Sequence, residues 1–542
     1  MAEIEDKTER AGEATVADSQ EQVASVGRSA ALMSGLVVVS RLTGFLRTWA
    51  QSYAMAATML ASCYAVANNL PTQLYELVTG GMLVTAFLPV YMSVKKEKGI
   101  GGASEYTSNL VSIVTLITGV VTALSVVFAY QVVYTQSFSA SADFDINLSA
   151  WFFRFFAIEI VLYALSTIFS GVVNAERDYF WSNAAPIFNN FVTIASFVAY
   201  ARLVDASPQL ALAILALGNP LGVLVQVVLQ VPSMYRHGLR LRWHIDLHDP
   251  ALRDTLTIGV PSIIVMITSF VTVSVQTSAS LAVSASGASV SQYARLWYTL
   301  PYAILSVPIT TALFTELSDF FAKGDMDSFN RSVGTGTSQI LFFLVPFALF
   351  LVVFSQPLVS IIAIGKFSDE ALSLTVQYLI GLAPSLPAYG VCMYLQKVCS
   401  STRKMGLYAF SSVVASLVQV ALCLWVAPRF GIWCVALTSF AFFLSIDIVM
   451  FVSLSRSLGD IGVGHILAGM LRSLALGIAG ALVAWLILRV MGVEAGDGVM
   501  RSVMACAAGG IPAVLVTYGL AIALKVPESS VIRTLAGRFL RR

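Results

Sequence analysis

Apolar stretches separated by short polar ones recur from residue 29 to residue 524. A helix needs about 20 mostly apolar residues to cross a bilayer, and about fourteen stretches reach that length. They run near 29–52, 62–93, 108–133, 149–173, 183–203, 208–233, 254–281, 290–320, 332–356, 371–397, 404–427, 431–455, 464–490 and 500–524. Pro71 and Gly80-Gly81 interrupt the second stretch, and Pro301 and Pro308 the eighth. Such breaks are tolerated where a membrane helix lines a cavity. Gly44 lies between Arg41 and Arg47 in the first stretch and predicts a bend there.

The pattern divides the chain into a tail at 1–28, six helices at 29–233, a connection at 234–253, six helices at 254–455, two more at 456–525 and a basic tail at 526–542. The first tail is acid-rich (Glu3, Glu5, Asp6, Glu9, Glu13, Asp18 and Glu21) and has no apolar signal-peptide region. It is expected to be disordered. The connection at 234–253 alternates Leu239, Leu241, Trp243, Ile245 and Leu247 with polar residues. That period of two predicts an extended or interfacial linker lying on the lipid headgroups.

Composition agrees with an all-α polytopic membrane protein. The 542 residues are 57% hydrophobic and only 11% charged, against roughly 25% charged in soluble domains. Mean hydropathy is +0.80. A net charge of +2 with no basic tract gives no reason to expect a nucleic-acid partner. Cys63, Cys392, Cys399, Cys423, Cys434 and Cys506 have no metal-ligand spacing and read as small buried hydrophobes. No metal or other cofactor is expected. Lys7, Arg10, Arg28, Lys95, Lys96, Lys98, Arg177, Arg236, Arg240, Arg242, Arg253, Lys323, Arg331, Arg403, Lys404, Arg456, Lys525, Arg533, Arg538, Arg541 and Arg542 fall in the tails and alternate connections, whereas Arg202, Lys366, Arg429, Arg489 and Arg501 fall in the others. This roughly four-to-one bias predicts an even number of spans with both termini cytoplasmic.

The remaining cations lie within or beside the apolar stretches: Arg41, Arg47, Arg154, Arg295, Lys397 and Arg472. The acids so placed are Glu76, Glu159, Glu316 and Asp447. Lys397 and Arg472 are near helix ends and can reach the interface. Arg154 and Glu159 share one stretch, about a turn and a half apart, and read as helix-stabilising or interface groups. Arg41, Arg47 and Arg295 are deeper and have no matching set of acids; Glu76 is the obvious neutraliser for one. A cation held at that depth faces a protein interior or a wet cavity. Planar guanidinium groups there predict an anionic, phosphate-bearing ligand. No metal-binding acid cluster, His-based acid/base set or glycine-rich phosphate loop is present, so an enzyme is not expected.

The run Ser40-Arg41-Leu42-Thr43-Gly44-Phe45-Leu46-Arg47 resembles the opening motif of the MurJ (MviN) family of lipid II flippases. Asn69-Leu70-Pro71, Tyr75-Glu76-Leu77-Val78-Thr79-Gly80-Gly81 and Ala86-Phe87-Leu88-Pro89-Val90-Tyr91 resemble its second helix. Weaker echoes are Asn174, Asn183-Ala184-Ala185-Pro186 with Asn189, Tyr293-Ala294-Arg295 to Pro301, and Gly365-Lys366-Phe367. Where this family commonly carries an acid the chain has Ser62, and where it carries a base the chain has Tyr75. Arg295 aligns one residue early.

The resemblance implies a MOP-superfamily fold, with two six-helix lobes around a central cavity and a lipid-tail groove at 456–525. It implies export of undecaprenyl-diphosphate-linked peptidoglycan precursor across the bacterial cytoplasmic membrane by alternating access. Arg41, Gly44, Arg47, Asn69, Tyr75, Glu76 and Arg295 would then bind the substrate. A monomer in contact with membrane lipids is expected, with cell-wall synthesis or division proteins as candidate partners. The alternatives are a flippase for another lipid-linked oligosaccharide, another MOP-type exporter, or a membrane scaffold that transports nothing.

Overall fold

The computed structural model describes residues 33, 35–80, 87–363, 367–494 and 496–530. The two tails, Gly81, Ala86, Gly365 and Lys366 therefore lie outside the described residues, apart from 526–530 of the second tail. No strand occurs among the described residues. Among the described residues eleven helices are long and apolar enough to cross a membrane, or twelve when a pair bent by 50° counts as one span. The two helices nearest the amino terminus are not among them.

The first helix, α1, covers 35–55 and is helical through Gly44. No break in the helix separates Arg41 from Arg47. Six residues of helix turn one arginine about 120° from the other, and no break offsets that rotation. α2 (Met59–Tyr75) starts at Thr58, whose hydroxyl accepts from the Ala61 N–H, and continues as a π turn over Glu76–Gly80. The predicted polar break after residue 93 is also helical: α3 runs Phe87–Val127 with one non-helical residue, Gly99, at φ 68°. A left-handed φ is open to glycine at little steric cost, so the helix breaks there and not at the lysines.

Next come α4 (Ala129–Tyr134), α5 (Ile146–Phe156), α6 (Glu159–Ala175), α7 (Tyr179–Leu203), α8 (Pro208–Val228) and α9 (Val231–Arg236). They are followed by α10 (Pro250–Val283) and α11 (Gly287–Pro301), then a π turn at Tyr302–Ser306 and α12 (Val307–Lys323). The rest are α13 (Met326–Val353), α14 (Ser355–Ile362), α15 (Asp369–Leu382), α16 (Ser385–Ser401), α17 (Met405–Trp425), α18 (Ala427–Phe430), α19 (Ile432–Leu458), α20 (Val463–Val490) and α21 (Val499–Ala523). α15 and α16 are the bent pair.

These elements form two compact units. One comprises Met1–Arg47, Leu83–Val120 and Ile158–Thr257; the other comprises Thr48–Met82, Val121–Ala157 and Ile258–Arg542. In the first, α7 and α8 approach closely: a methyl on Gly218 would meet the Ser196 hydroxyl at 2.1 Å. Amides bridge the contact. Asn189 donates to Gln226 (3.0 Å), and Gln226 and Gln230 donate to Ser166 on α6. In the second unit α15 meets the start of α19, where a methyl on Gly381 would sit 2.0 Å from the Trp433 carbonyl oxygen. Small residues allow such approaches in membrane proteins, where packing rather than water exclusion holds helices together.

Candidate functional site

Four α10 residues, Val273, Gln276, Thr277 and Ser280, help enclose a cavity of about 180 Å³ in the second unit. α2 contributes Ala65, Val66, Asn68 and Asn69; α11 contributes Ala288, Ser291, Gln292 and Arg295; Gln136 and Tyr378 complete the wall. The lining is rich in neutral amides and hydroxyls, with Arg295 as its charged group. The Arg295 Nη2 donates to the Gln276 Oε1 at 2.7 Å. The Gln276 amide in turn donates to the Ser439 hydroxyl (2.8 Å) and to the Val435 carbonyl (3.2 Å). Among the described residues no carboxylate lies in ion-pair range of Arg295. The arginine is therefore oriented by a neutral partner and keeps its charge for the cavity. Of the residues singled out in the sequence, Asn69 and Arg295 come together here.

One flank of this cavity is joined by neutral hydrogen bonds. Gln51 and Gln292 exchange amide bonds at 3.2 Å. Ser62, at the position noted for its missing acid, donates to the Ser289 hydroxyl (3.1 Å) and accepts the Ser289 N–H (3.0 Å). The Tyr293 hydroxyl donates to the Ala56 carbonyl (2.9 Å). Tyr75 is buried and Glu76 half-buried beyond the cavity on the same helix, and neither lines it. Glu76 makes no ion pair among the described residues.

Arg41, Gly44 and Arg47 are in the first unit. Arg41 is exposed and Arg47 half-buried. Neither is in an ion pair among the described residues, although Arg47 lies close enough to Glu159 for their charges to interact. Glu159 is fully buried, and both its oxygens accept from the Asn219 Nδ2, at 2.9 and 3.0 Å. Arg154 and Glu159, expected on one helix, are parted by the turn at 157–158. Gly44 has open space beside it, with the Asn190 amide 3.9 Å from where a methyl would stand. Asn190 donates instead to the Thr43 hydroxyl at 3.0 Å.

Two other isolated cations also find partners. Arg472 pairs with buried Glu528 at 2.8 Å. Lys397 lies 5.3 Å from the centre of the Phe314 ring. The sequence reading missed Gln276, Gln136, Gln292 and Asn219. Their signal was an amide inside an apolar stretch, which is costly in lipid without a hydrogen-bond partner. The second unit also contains an apolar cavity of about 400 Å³ between α11, α13, α14 and α21, lined by Leu300, Ile304, Phe347, Phe354, Cys506 and Val514 among others.

The family profile described as "Lipid II flippase MurJ" matches residues 51–505. The matched span takes in Asn69, Tyr75, Glu76 and Arg295 and begins beyond Arg41, Gly44 and Arg47. A probable lipid II flippase MurJ of Borreliella burgdorferi is 22% identical over 424 residues, covering 77% of this chain and 81% of that protein. The lipid II flippase MurJ of Burkholderia cenocepacia is 24% identical over 372 residues, covering 67% and 70%. Among solved structures, a lipid II flippase MurJ in an inward closed conformation superposes with a TM-score of 0.73 at 17% identity, covering 91% of this chain and 99% of the other. An inward-facing multidrug resistance MATE transporter of the MOP superfamily gives 0.61 at 10% identity, covering 81% and 94%. The fold is thus that of the MOP transporters. Matched over most of its length, the chain belongs to the lipid II flippase MurJ family and is a multi-span membrane transporter, not an enzyme.

Proposed function

We propose that this protein moves lipid II, the undecaprenyl-diphosphate-linked peptidoglycan precursor, from the inner to the outer leaflet of a bacterial cytoplasmic membrane by alternating access. The observation that carries the reading is Arg295, set in a polar cavity and held by an amide with no carboxylate beside it. A cation maintained inside a membrane bundle without a counter-charge suits an anionic ligand, and a guanidinium suits a phosphate. Arg41 and Arg47 meet the same diphosphate at other points on its route. Asn69 contributes an amide to the headgroup contact, and Gly44, Tyr75 and Glu76 belong to the route. The amides around Arg295 fit hydroxyls and peptide groups of the headgroup.

In this reading residues 29–233 and 254–455 act as the two rocking lobes, and 456–525 supply a seat for the polyprenyl tail. The apolar cavity bordered by Cys506, Gly510 and Val514 supports such a seat. Both termini are cytoplasmic, and the transporter works as a monomer, with cell-wall synthesis or division proteins docking from inside. With the inside negative, each negative charge carried across the full field releases about 2.3 kcal/mol per 100 mV, so the potential favours export.

The test is complementation of a strain depleted of its lipid II flippase, with wild type beside Arg41→Ala, Arg47→Ala and Arg295→Ala. Wild type should restore growth and the variants should not. Purified protein should also bind lipid II saturably and more tightly than an unrelated polyprenyl-diphosphate sugar. Equal binding of both would favour another lipid-linked oligosaccharide, and no saturable binding would defeat the transport reading.

A further inference from the structure

The connection after α9 is stitched to α3 by a ladder of serines. The N–H groups of Arg240, Arg242 and His244 donate to the hydroxyls of Ser104 (2.9 Å), Ser108 (3.1 Å) and Ser112 (3.0 Å). The Ser104 hydroxyl donates to the Arg240 carbonyl (2.8 Å). Ser108 and Ser112 donate to the carbonyls one helical turn back, at 2.7 and 2.8 Å. Their protons are thereby committed to the helix, and their lone pairs face the linker. The register works because two lengths agree. Four helical residues rise about 6 Å, and two extended residues advance about 6.6 Å. A serine every fourth residue therefore meets every second N–H of an extended chain. Asn109 ends the ladder: its side chain accepts the Asp246 N–H and donates to the Asp246 carbonyl, both at 2.8 Å.

The segment thus climbs α3 from the charged stretch near Lys98 towards the uncharged run after Asn109, turns beyond His244 and comes back. An extended chain alternates its side chains. Trp243 ends one face of the extended run, Ile245 and Leu247 follow in the turn, and the three are 66%, 42% and 70% exposed. Arg240 and Arg242 lie on the other face and are exposed too. One turn further along α3, Leu116 and Ile117 are themselves exposed in a run of membrane-spanning length.

We propose that this stitched excursion is a binding site for anionic phospholipid: Trp243, Ile245 and Leu247 enter the acyl-chain boundary, and Arg240 and Arg242 hold headgroup phosphates. A tryptophan beside aliphatic residues at the end of an apolar helical run suits the membrane interface, and paired arginines next to it suit phosphate. The serine ladder is the positioning device that holds them at that depth. The inference rests on the chain's being a membrane protein and not on the identity of its cargo.

The experiment uses the full chain in nanodiscs, without lipid II, so its failure is separate from failure of the transport reading. The emission difference between wild type and Trp243→Phe isolates this tryptophan. It should be quenched at least about threefold more by phospholipids brominated near the glycerol end than by aqueous acrylamide. Arg240→Gln with Arg242→Gln should lower the preference for phosphatidylglycerol over phosphatidylcholine vesicles, by about fivefold for each arginine. Ser108→Ala with Ser112→Ala should shift the quenching towards acrylamide while the fold, followed by its thermal midpoint, survives. Acrylamide quenching of wild type without bromolipid quenching would overturn the proposal and mark a face for a soluble partner. Unchanged lipid preference in the double arginine variant would overturn the phosphate contact.

Discussion

Arg295 on α11 donates to Gln276 on α10 at 2.7 Å, and Gln276 is itself fixed by Ser439 and Val435 of α19. Three helices thus aim one cation without neutralising it. A carboxylate at position 276 would orient the guanidinium equally well but would cancel the charge that an anion needs.

That distinction is measurable. Gln276→Leu removes the support and leaves the charge, and lipid II affinity should fall by about tenfold, the effect of losing one hydrogen bond to a charged group. Gln276→Glu keeps the geometry and removes the net charge, and binding should be lost altogether. A titration in which Gln276→Glu binds as well as wild type would show that the cavity's charge is irrelevant.

Asn219 donates to both oxygens of buried Glu159, which also hydrogen-bonds Tyr163. Replacing Asn219 with Leu strips both carboxyl oxygens of that donor while the acid stays inside the bundle. The expected loss is about 1–3 kcal/mol, the cost of leaving a buried polar group short of a hydrogen bond, seen as a lower thermal midpoint in detergent. Glu159→Gln can still accept from Asn219 and should melt closer to wild type.

Glu176, just past the end of α6, accepts from Lys95 (2.6 Å) and Tyr91 (2.7 Å). Burial pushes its carboxyl up. The hydrogen bonds from Lys95 and Tyr91 and the charges of Lys95 and His237 outweigh burial and hold it below the usual glutamate range. The folded value is the depressed one, so the stabilisation is complete above the ordinary glutamate pKa. It is lost as pH falls through the depressed value. Thermal midpoints should therefore decline on acidification below about pH 4.5, and Glu176→Gln should flatten that slope. An identical slope in the variant would rule the pair out as its source.

Gly381→Ala would force a methyl to within 2.0 Å of the Trp433 carbonyl oxygen, a backbone atom that cannot rotate away. Overpacking of this kind costs about 1–3 kcal/mol. Gly119→Ala, with nothing within 4 Å, is the control and should melt like wild type. Equal melting of the two variants would show that the α15–α19 contact is not tight.

Much of the helical framework was legible because each apolar stretch is long enough to satisfy its own backbone hydrogen bonds in lipid. The errors fell where polar residues continue a helix. Lys95 to Lys98 read as a loop, yet the helix runs on to Gly99. The deep arginines were legible as costly charges, but their partners were not. Glu76 was the candidate that the sequence offered. The groups that serve are Gln276, nineteen positions from Arg295, and Glu159 near Arg47.

The sequence by itself determined the all-α membrane class, the spacing of most helices and the presence of cations too deep to be incidental. Hydropathy and charge act locally along a chain, so they can be read from it. The tertiary structure decided which amide holds Arg295, which acid Arg47 senses, and that three serines on α3 carry an extended linker. Those pairings join residues up to 136 positions apart. They depend on how helices rotate and approach, which glycine contacts and hydrogen-bond geometry set in three dimensions.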